Sequence, residues 1–112
     1  MMVRPTRFEI TEENRKESLI LSVAGELDLG TGPVLAQRVE DELGEEHTTL
    51  TLDLSEVSFM DSSGLRLLIE LNQRSEQAPW NLTLIPPQHE SALTVLQLTG
   101  ADKALPFEDR LP

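Results

Sequence analysis

The sequence contains no cysteine and no tyrosine, and it has one tryptophan and three phenylalanines. Without a thiol there is no disulfide framework, no thiolate metal site and no cysteine nucleophile, which fits a reducing, cytoplasmic setting. With so few aromatic rings the core must be aliphatic, built from Leu, Val and Ile. No apolar run approaches the roughly 20 residues of a bilayer-spanning helix. The first residues, Met1-Met2-Val3-Arg4-Pro5, lack the apolar stretch of a secretory signal. Positive charge is also scarce: 9 Lys and Arg stand against 20 Asp and Glu, a formal net charge of -11. Such a chain is repelled by phosphate backbones and anionic lipid, so neither nucleic acid nor direct membrane contact is expected. Weak attraction to basic protein surfaces is the corollary, although acidity also simply keeps a small protein soluble.

What is present is patterned. A chain of 112 residues has room for one domain and one core. Phe8-Glu9-Ile10-Thr11 reads as an edge strand, Glu12 to Lys16 as a polar turn, and Leu19 to Ala24 as a stronger strand ending at Gly25. Together they predict an antiparallel hairpin. From Pro33 to Leu43, Val34, Leu35, Val39 and Leu43 recur about every four residues, which marks one helix face. Thr31 is placed to cap that helix, Pro33 sits where an early helix tolerates proline, and Gly44 closes it. Leu50-Thr51-Leu52-Asp53-Leu54 alternates as a strand.

A second helix is expected over Ser62–Gln77, and Leu65, Leu67, Leu68, Ile69 and Leu71 predict that it lies deep against the sheet. Asn81–Ile85 is another strand, stopped by Pro86-Pro87. Ser91–Thr99 reads as a short helix with Leu93 and Leu96 inward, ended by Gly100. Leu105-Pro106-Phe107 is a candidate last strand. The alternation predicts an α/β fold, with parallel pairings reached through crossovers.

The informative segment runs from Asp53 to Leu65. A strand ends, a short connection follows, and Asp61-Ser62-Ser63-Gly64 opens an apolar helix. Ser and Asp accept hydrogen bonds from the unpaired N–H groups of a first helical turn, so a cap is the ordinary reading. Gly64 removes side-chain bulk and lets another group approach the backbone. The same geometry also suits a switch. A helix N-terminus carries about half a positive charge, and phosphoserine brings about −1.5 to −2 charges. A phosphate placed there leaves the fold intact and reverses the electrostatics of the surface a partner meets. On the residues alone, cap and switch both stand.

Catalytic alternatives are weaker. His47, beside Glu45 and Glu46, and His89, after Pro86-Pro87-Gln88, read as surface-loop residues outside any metal-ligand spacing. Ser62 lacks the Gly-x-Ser-x-Gly elbow of a hydrolase, because Met60 stands where the first glycine is needed. No nucleotide-binding glycine loop occurs. No catalytic residue, metal or cofactor is therefore expected. Trp80 reads as a partly buried plug between helix and strand.

Phe59-Met60-Asp61-Ser62-Ser63-Gly64-Leu65 closely resembles the STAS domain of bacterial anti-sigma factor antagonists. Gly25-Glu26-Leu27-Asp28 matches that family's motif at the end of its second strand. Thr31 and Pro33 sit where its next helix starts, and Leu96-Gln97-Leu98-Thr99-Gly100 resembles its late helix. The resemblance implies a STAS domain over residues 1–112 with a core at about 8–108. The implied fold is a small mixed sheet of four to five strands, an N-terminal antiparallel hairpin and otherwise mostly parallel, packed with about three helices.

The resemblance also implies partner switching. The unphosphorylated antagonist binds an anti-sigma factor that is also a serine kinase. The kinase uses ATP and magnesium to phosphorylate the antagonist and so releases it, and a serine phosphatase resets the circuit. By the same resemblance Ser62 is the modified residue, with Ser63 second to it. Asp28 and Thr31 lie near it, and Asp61, Ser63 and Gly64 shape its loop. Two departures stand out. The family's further amphipathic helix is expected to be absent, since the sequence ends at Arg110-Leu111-Pro112, and Ser91–Thr99 carries none of the basic residues that relatives place there. The competing reading within the fold is a subunit docked permanently on a larger transporter or stress-signalling complex.

Overall fold

A computed structural model describes residues 7–108. Its elements are β1 (Glu9–Arg15), β2 (Ser18–Leu27), α1 (Gly32–Glu42), β3 (Thr49–Met60), α2 (Ser62–Ser75), β4 (Asn81–Ile85), α3 (Glu90–Thr99) and the single turn α4 (Ala101–Ala104). The four strands form one sheet in the order β1-β2-β3-β4. β1 pairs antiparallel with β2, and the β2–β3 and β3–β4 pairings are parallel. This is the mixed α/β arrangement expected from the sequence, with one further helix, α4. The expectation of a signal-free start at Met1–Pro5 and of no helix at Arg110–Pro112 falls outside the described residues.

Period-two alternation divides the sheet into unlike faces. Leu19 and Leu21 of β2, Leu50 and Leu52 of β3, and Leu82 and Leu84 of β4 lie in register on one face. They share a single buried cluster with Leu35 and Val39 of α1, Leu68 and Leu71 of α2, Ala92 and Leu96 of α3, and Leu105. Ile20 and Ile85, at the alternate positions, are buried outside that cluster. Within the core layer α1 packs on α2, α2 on β3 and β4, and α3 along β3.

Several elements differ from the expectation, each for a physical reason. Glu12–Arg15 continues β1 and is not a turn; the turn is Lys16-Glu17, with Lys16 at φ 53. The stretch is polar on both sides because β1 is an edge strand held by its ladder to β2, so no alternation signals it.

The supposed connection after Leu54 is also strand, and β3 runs on to Met60. Register shifts between Ser22/Ala24 and Gly25/Glu26 insert extra residues in β3, so its buried residues there are Leu54, Val57 and Met60. Bulges break the period of two, and the pattern no longer announces a strand. Gly25 sits beside these bulges at φ 104, where a β-carbon would meet the Arg7 carbonyl oxygen at 2.6 Å. Leu105–Phe107 contributes only an isolated parallel bridge from Phe107 to Leu84.

α2 lies less deeply than its composition predicts. Gly64, Leu68 and Leu71 are buried, but Ile69 is 39% exposed. His47 moves the other way. It is buried at 2% exposure; its Nδ1 accepts from the Gly44 amide at 2.8 Å and its Nε2 lies 3.1 Å from Asn14 Oδ1. It ties the approach to β3 to the end of β1. Trp80 is buried, and the Arg74 guanidinium stands 6.0 Å from its ring centre while also pairing with Glu40 at 2.8 Å.

Candidate functional site

β2 and β3 run parallel and finish side by side, Leu27 opposite Met60. Their exits form two loops at one end of the sheet. In the first, Asp28 Oδ1 accepts from the amides of Gly30 at 3.0 Å and Thr31 at 3.1 Å. The Thr31 hydroxyl accepts from the Asp28 amide at 2.9 Å and donates to the Glu26 carbonyl at 2.7 Å. Thr31 occupies the N-cap position of α1 without making a side-chain cap. Its hydroxyl is spent on fixing the loop. Hydrogen bonds from the Thr31 and Gly30 amides and the Thr31 hydroxyl stabilise the Asp28 carboxylate against the opposing effect of burial, and its pKa falls below the ordinary value.

In the second loop Asp61 caps α2. Its Oδ1 accepts from the amides of Ser63 at 2.8 Å and Gly64 at 3.2 Å. The Asp61 amide donates to the Leu27 carbonyl at 3.3 Å, which joins the two loops. Gly64 seats the helix against that joint: a β-carbon at 64 would fall 2.5 Å from the Leu27 oxygen and 3.0 Å from its side chain. Ser62 opens α2 exposed, and among the described residues its hydroxyl makes no hydrogen bond.

Between the loops lies an open groove of about 260 Å³, with Asp28, Leu29, Pro33, Ser63, Arg66 and Leu67 among its walls. Asp28, Thr31, Asp61, Ser63 and Gly64 are thus brought together, and Ser62 lies exposed next to Ser63, outside the groove lining. The sequence reading missed Leu29 and Arg66. Leu29 is 75% exposed, an apolar residue inside a Gly- and Asp-rich turn, and that incongruity was its available signal. Arg66 was signalled only by standing four residues after Ser62. Val34 and Phe59 add exposed apolar surface at the ends of the same strands and the start of α1. Among the described residues no group of His, Asp and Glu is placed to hold a metal ion, and no helix is long and apolar enough to cross a membrane. His47 precedes β3 while Ser62 follows it. A strand of that length separates them by roughly 35 Å, too far for a base and its nucleophile.

A family model described as STAS domain matches residues 8–112. The chain belongs to the STAS domain family. One relative of this STAS domain is the anti-sigma-F factor antagonist RsfB of Mycobacterium tuberculosis, 30% identical over 77 residues, which are 69% of this chain and 63% of that protein. The STAS chain therefore spans less than two thirds of that relative's length. Among solved structures, an anti-sigma factor antagonist from Mycobacterium paratuberculosis superposes with a TM-score of 0.76 at 25% identity, covering 94% of this chain and 88% of the other. The Bacillus cell fate determinant SpoIIAA shares the fold at 22% identity. Its unphosphorylated form gives a TM-score of 0.72, covering 94% of this chain and 89% of that one. Its phosphorylated form gives 0.67, covering 94% and 92%.

Proposed function

We propose that this STAS protein is a cytoplasmic anti-sigma factor antagonist that works by partner switching and is not an enzyme. With Ser62 unmodified it binds an anti-sigma factor serine kinase through the groove and the exposed apolar residues around it. The kinase transfers the γ-phosphoryl group of ATP: the Ser62 oxygen bonds to phosphorus, the bond to ADP breaks, and the hydroxyl proton passes to the kinase. A serine phosphatase reverses the modification.

The observation that carries this reading is that Ser62 is exposed and uncommitted while Asp61 makes the cap. The hydroxyl is free to react, and the fold does not depend on it. A phosphate at this position adds about two negative charges to a surface already shaped for a partner. Each ~1.4 kcal/mol of lost complementarity weakens the complex tenfold, so one badly paired phosphate suffices for release. Ser63 is the poorer acceptor, because its side lines the groove that Asp28 also lines. The relatives named as anti-sigma factor antagonists, and the two states of SpoIIAA, support the same reading.

The deciding experiment is phosphopeptide mapping of the protein from its native cells, together with identification of the proteins that co-purify. Phosphate on Ser62 and a kinase-like anti-sigma factor in the complex are expected. An unmodified Ser62 across growth conditions, with a transporter or stress-complex subunit bound, overturns the switch in favour of permanent docking.

A further inference from the structure

The immediate surroundings of Ser62 are rich in carboxylates and poor in cations. Asp28 reaches in from the loop before α1, Asp61 caps α2, and Glu70 stands one turn beyond Arg66 on the groove wall. Arg66 is the one basic residue that lines this groove. Among the described residues Arg15, Arg38 and Arg74 each pair with a carboxylate, whereas Arg66 pairs with none. The amides that usually receive an anion at a helix start are largely engaged here. Those of Ser63 and Gly64 already donate to Asp61, and that of Leu65 donates to the Asp61 carbonyl. A phosphate on Ser62 therefore finds few free backbone donors and needs another partner.

We propose that Arg66 is that partner: its guanidinium clamps the phosphate of phosphorylated Ser62 at the start of α2, beside the groove that Arg66 lines. This rests on Ser62 being the modified residue. Residues four apart on a helix are neighbours, with β-carbons about 5–6 Å apart, and an acidic group N-terminal to a basic one is the favourable order. Guanidinium and phosphate match as a bidentate pair. Phosphorylation then changes the groove twice over. It adds an anion beside it and withdraws the free guanidinium that the unmodified protein offers to a partner's carboxylate.

The test uses the full chain with phosphoserine installed at position 62 by genetic incorporation, so that no kinase is required. The second ionisation of the phosphate is followed by 31P NMR across pH in the parent, in Arg66→Gln and in Arg66→Lys. Phosphoserine ordinarily ionises near 6. The parent is expected below that value, and Arg66→Gln raises it by roughly half a unit, a threefold change in the ionisation constant. Arg66→Lys falls between, because it keeps the charge and loses the fork. Since Arg66 is exposed and has no ion-pair partner among the described residues, unphosphorylated Arg66→Gln should unfold in urea at the parent's midpoint, which excludes a folding defect. Superimposable phosphate titrations in the parent and Arg66→Gln overturn the proposal. If the titrations separate while the native protein never carries phosphate on Ser62, the switch reading fails and the Arg66–phosphate pairing stands.

Discussion

The Asp61 carboxylate accepts a hydrogen bond from the Ser63 amide at 2.8 Å, reaching past Ser62 to cap a helix that Ser62 itself opens. The cap thus falls to Asp61 and leaves the Ser62 hydroxyl out of it. Ser62→Ala should change unfolding free energy by no more than about 0.5 kcal/mol, as ordinary surface substitutions do. Asp61→Ala should cost about 1 kcal/mol or more by loss of the cap. Urea denaturation of the two variants measures the difference, and equal losses would show that Ser62 shares the cap.

Gly64 is held against the Leu27 carbonyl with no room for a methyl group. Gly64→Ala should destabilise the fold by about 1–3 kcal/mol through overpacking. The start of α2 should shift away from Leu27, so amide chemical shifts of Asp28 and Ser63 are expected to move together. A variant as stable as the parent, with unchanged shifts at both residues, would mean that the two loops are not coupled through this contact.

Asp28 is held below its ordinary pKa of 3.8 by the amides and hydroxyl that donate to it. The folded state therefore favours the charged form. The corresponding stability is fully present above 3.8 and is lost as pH falls through the lower, folded-state value. Asp28→Asn should accordingly be less stable than the parent at neutral pH, and the gap should narrow below 3.8. Thermal unfolding of both proteins at pH 7 and pH 3 checks the direction; a constant gap would assign the effect to geometry alone.

His47 is buried between the Gly44 amide and the Asn14 side chain, at the end of β3 away from Ser62. His47→Ala removes both contacts and leaves a void, which should cost about 2–4 kcal/mol. At a temperature where the variant remains folded, Ser62 should be phosphorylated at the parent's rate. A slower rate in the folded variant would show that the far end of the sheet bears on the site.

The parts legible in the sequence are those where one physical signal dominates. Leu50–Leu54 alternates as a half-covered strand does, Leu19–Ala24 is a short apolar run bounded by Gly25, and Asp61-Ser62-Ser63-Gly64 announces a helix start by its capping chemistry. The tail of β1 was illegible because an edge strand with polar residues on both sides carries no periodicity. Residues 55–60 were illegible because the bulges opposite Ser22–Glu26 shift the buried positions. His47 read as a loop residue because its partners, Gly44 and Asn14, come from different elements. At the site, Asp28, Asp61 and Gly64 could be picked out from their motifs. Arg66 and Leu29 acquire a role only when two loops remote in sequence enclose one groove, and no local pattern encodes that meeting.

The Leu27 carbonyl oxygen receives the Asp61 amide and abuts Gly64. One backbone atom from the first third of the chain thus holds in place a loop encoded in the second half. A nascent or unfolded chain displays the Asp-Ser-Ser-Gly peptide without that support. Any enzyme that reads both loops together is thereby restricted to chains whose parallel strands have already closed. For such an enzyme the joint would make correct folding a precondition of recognition.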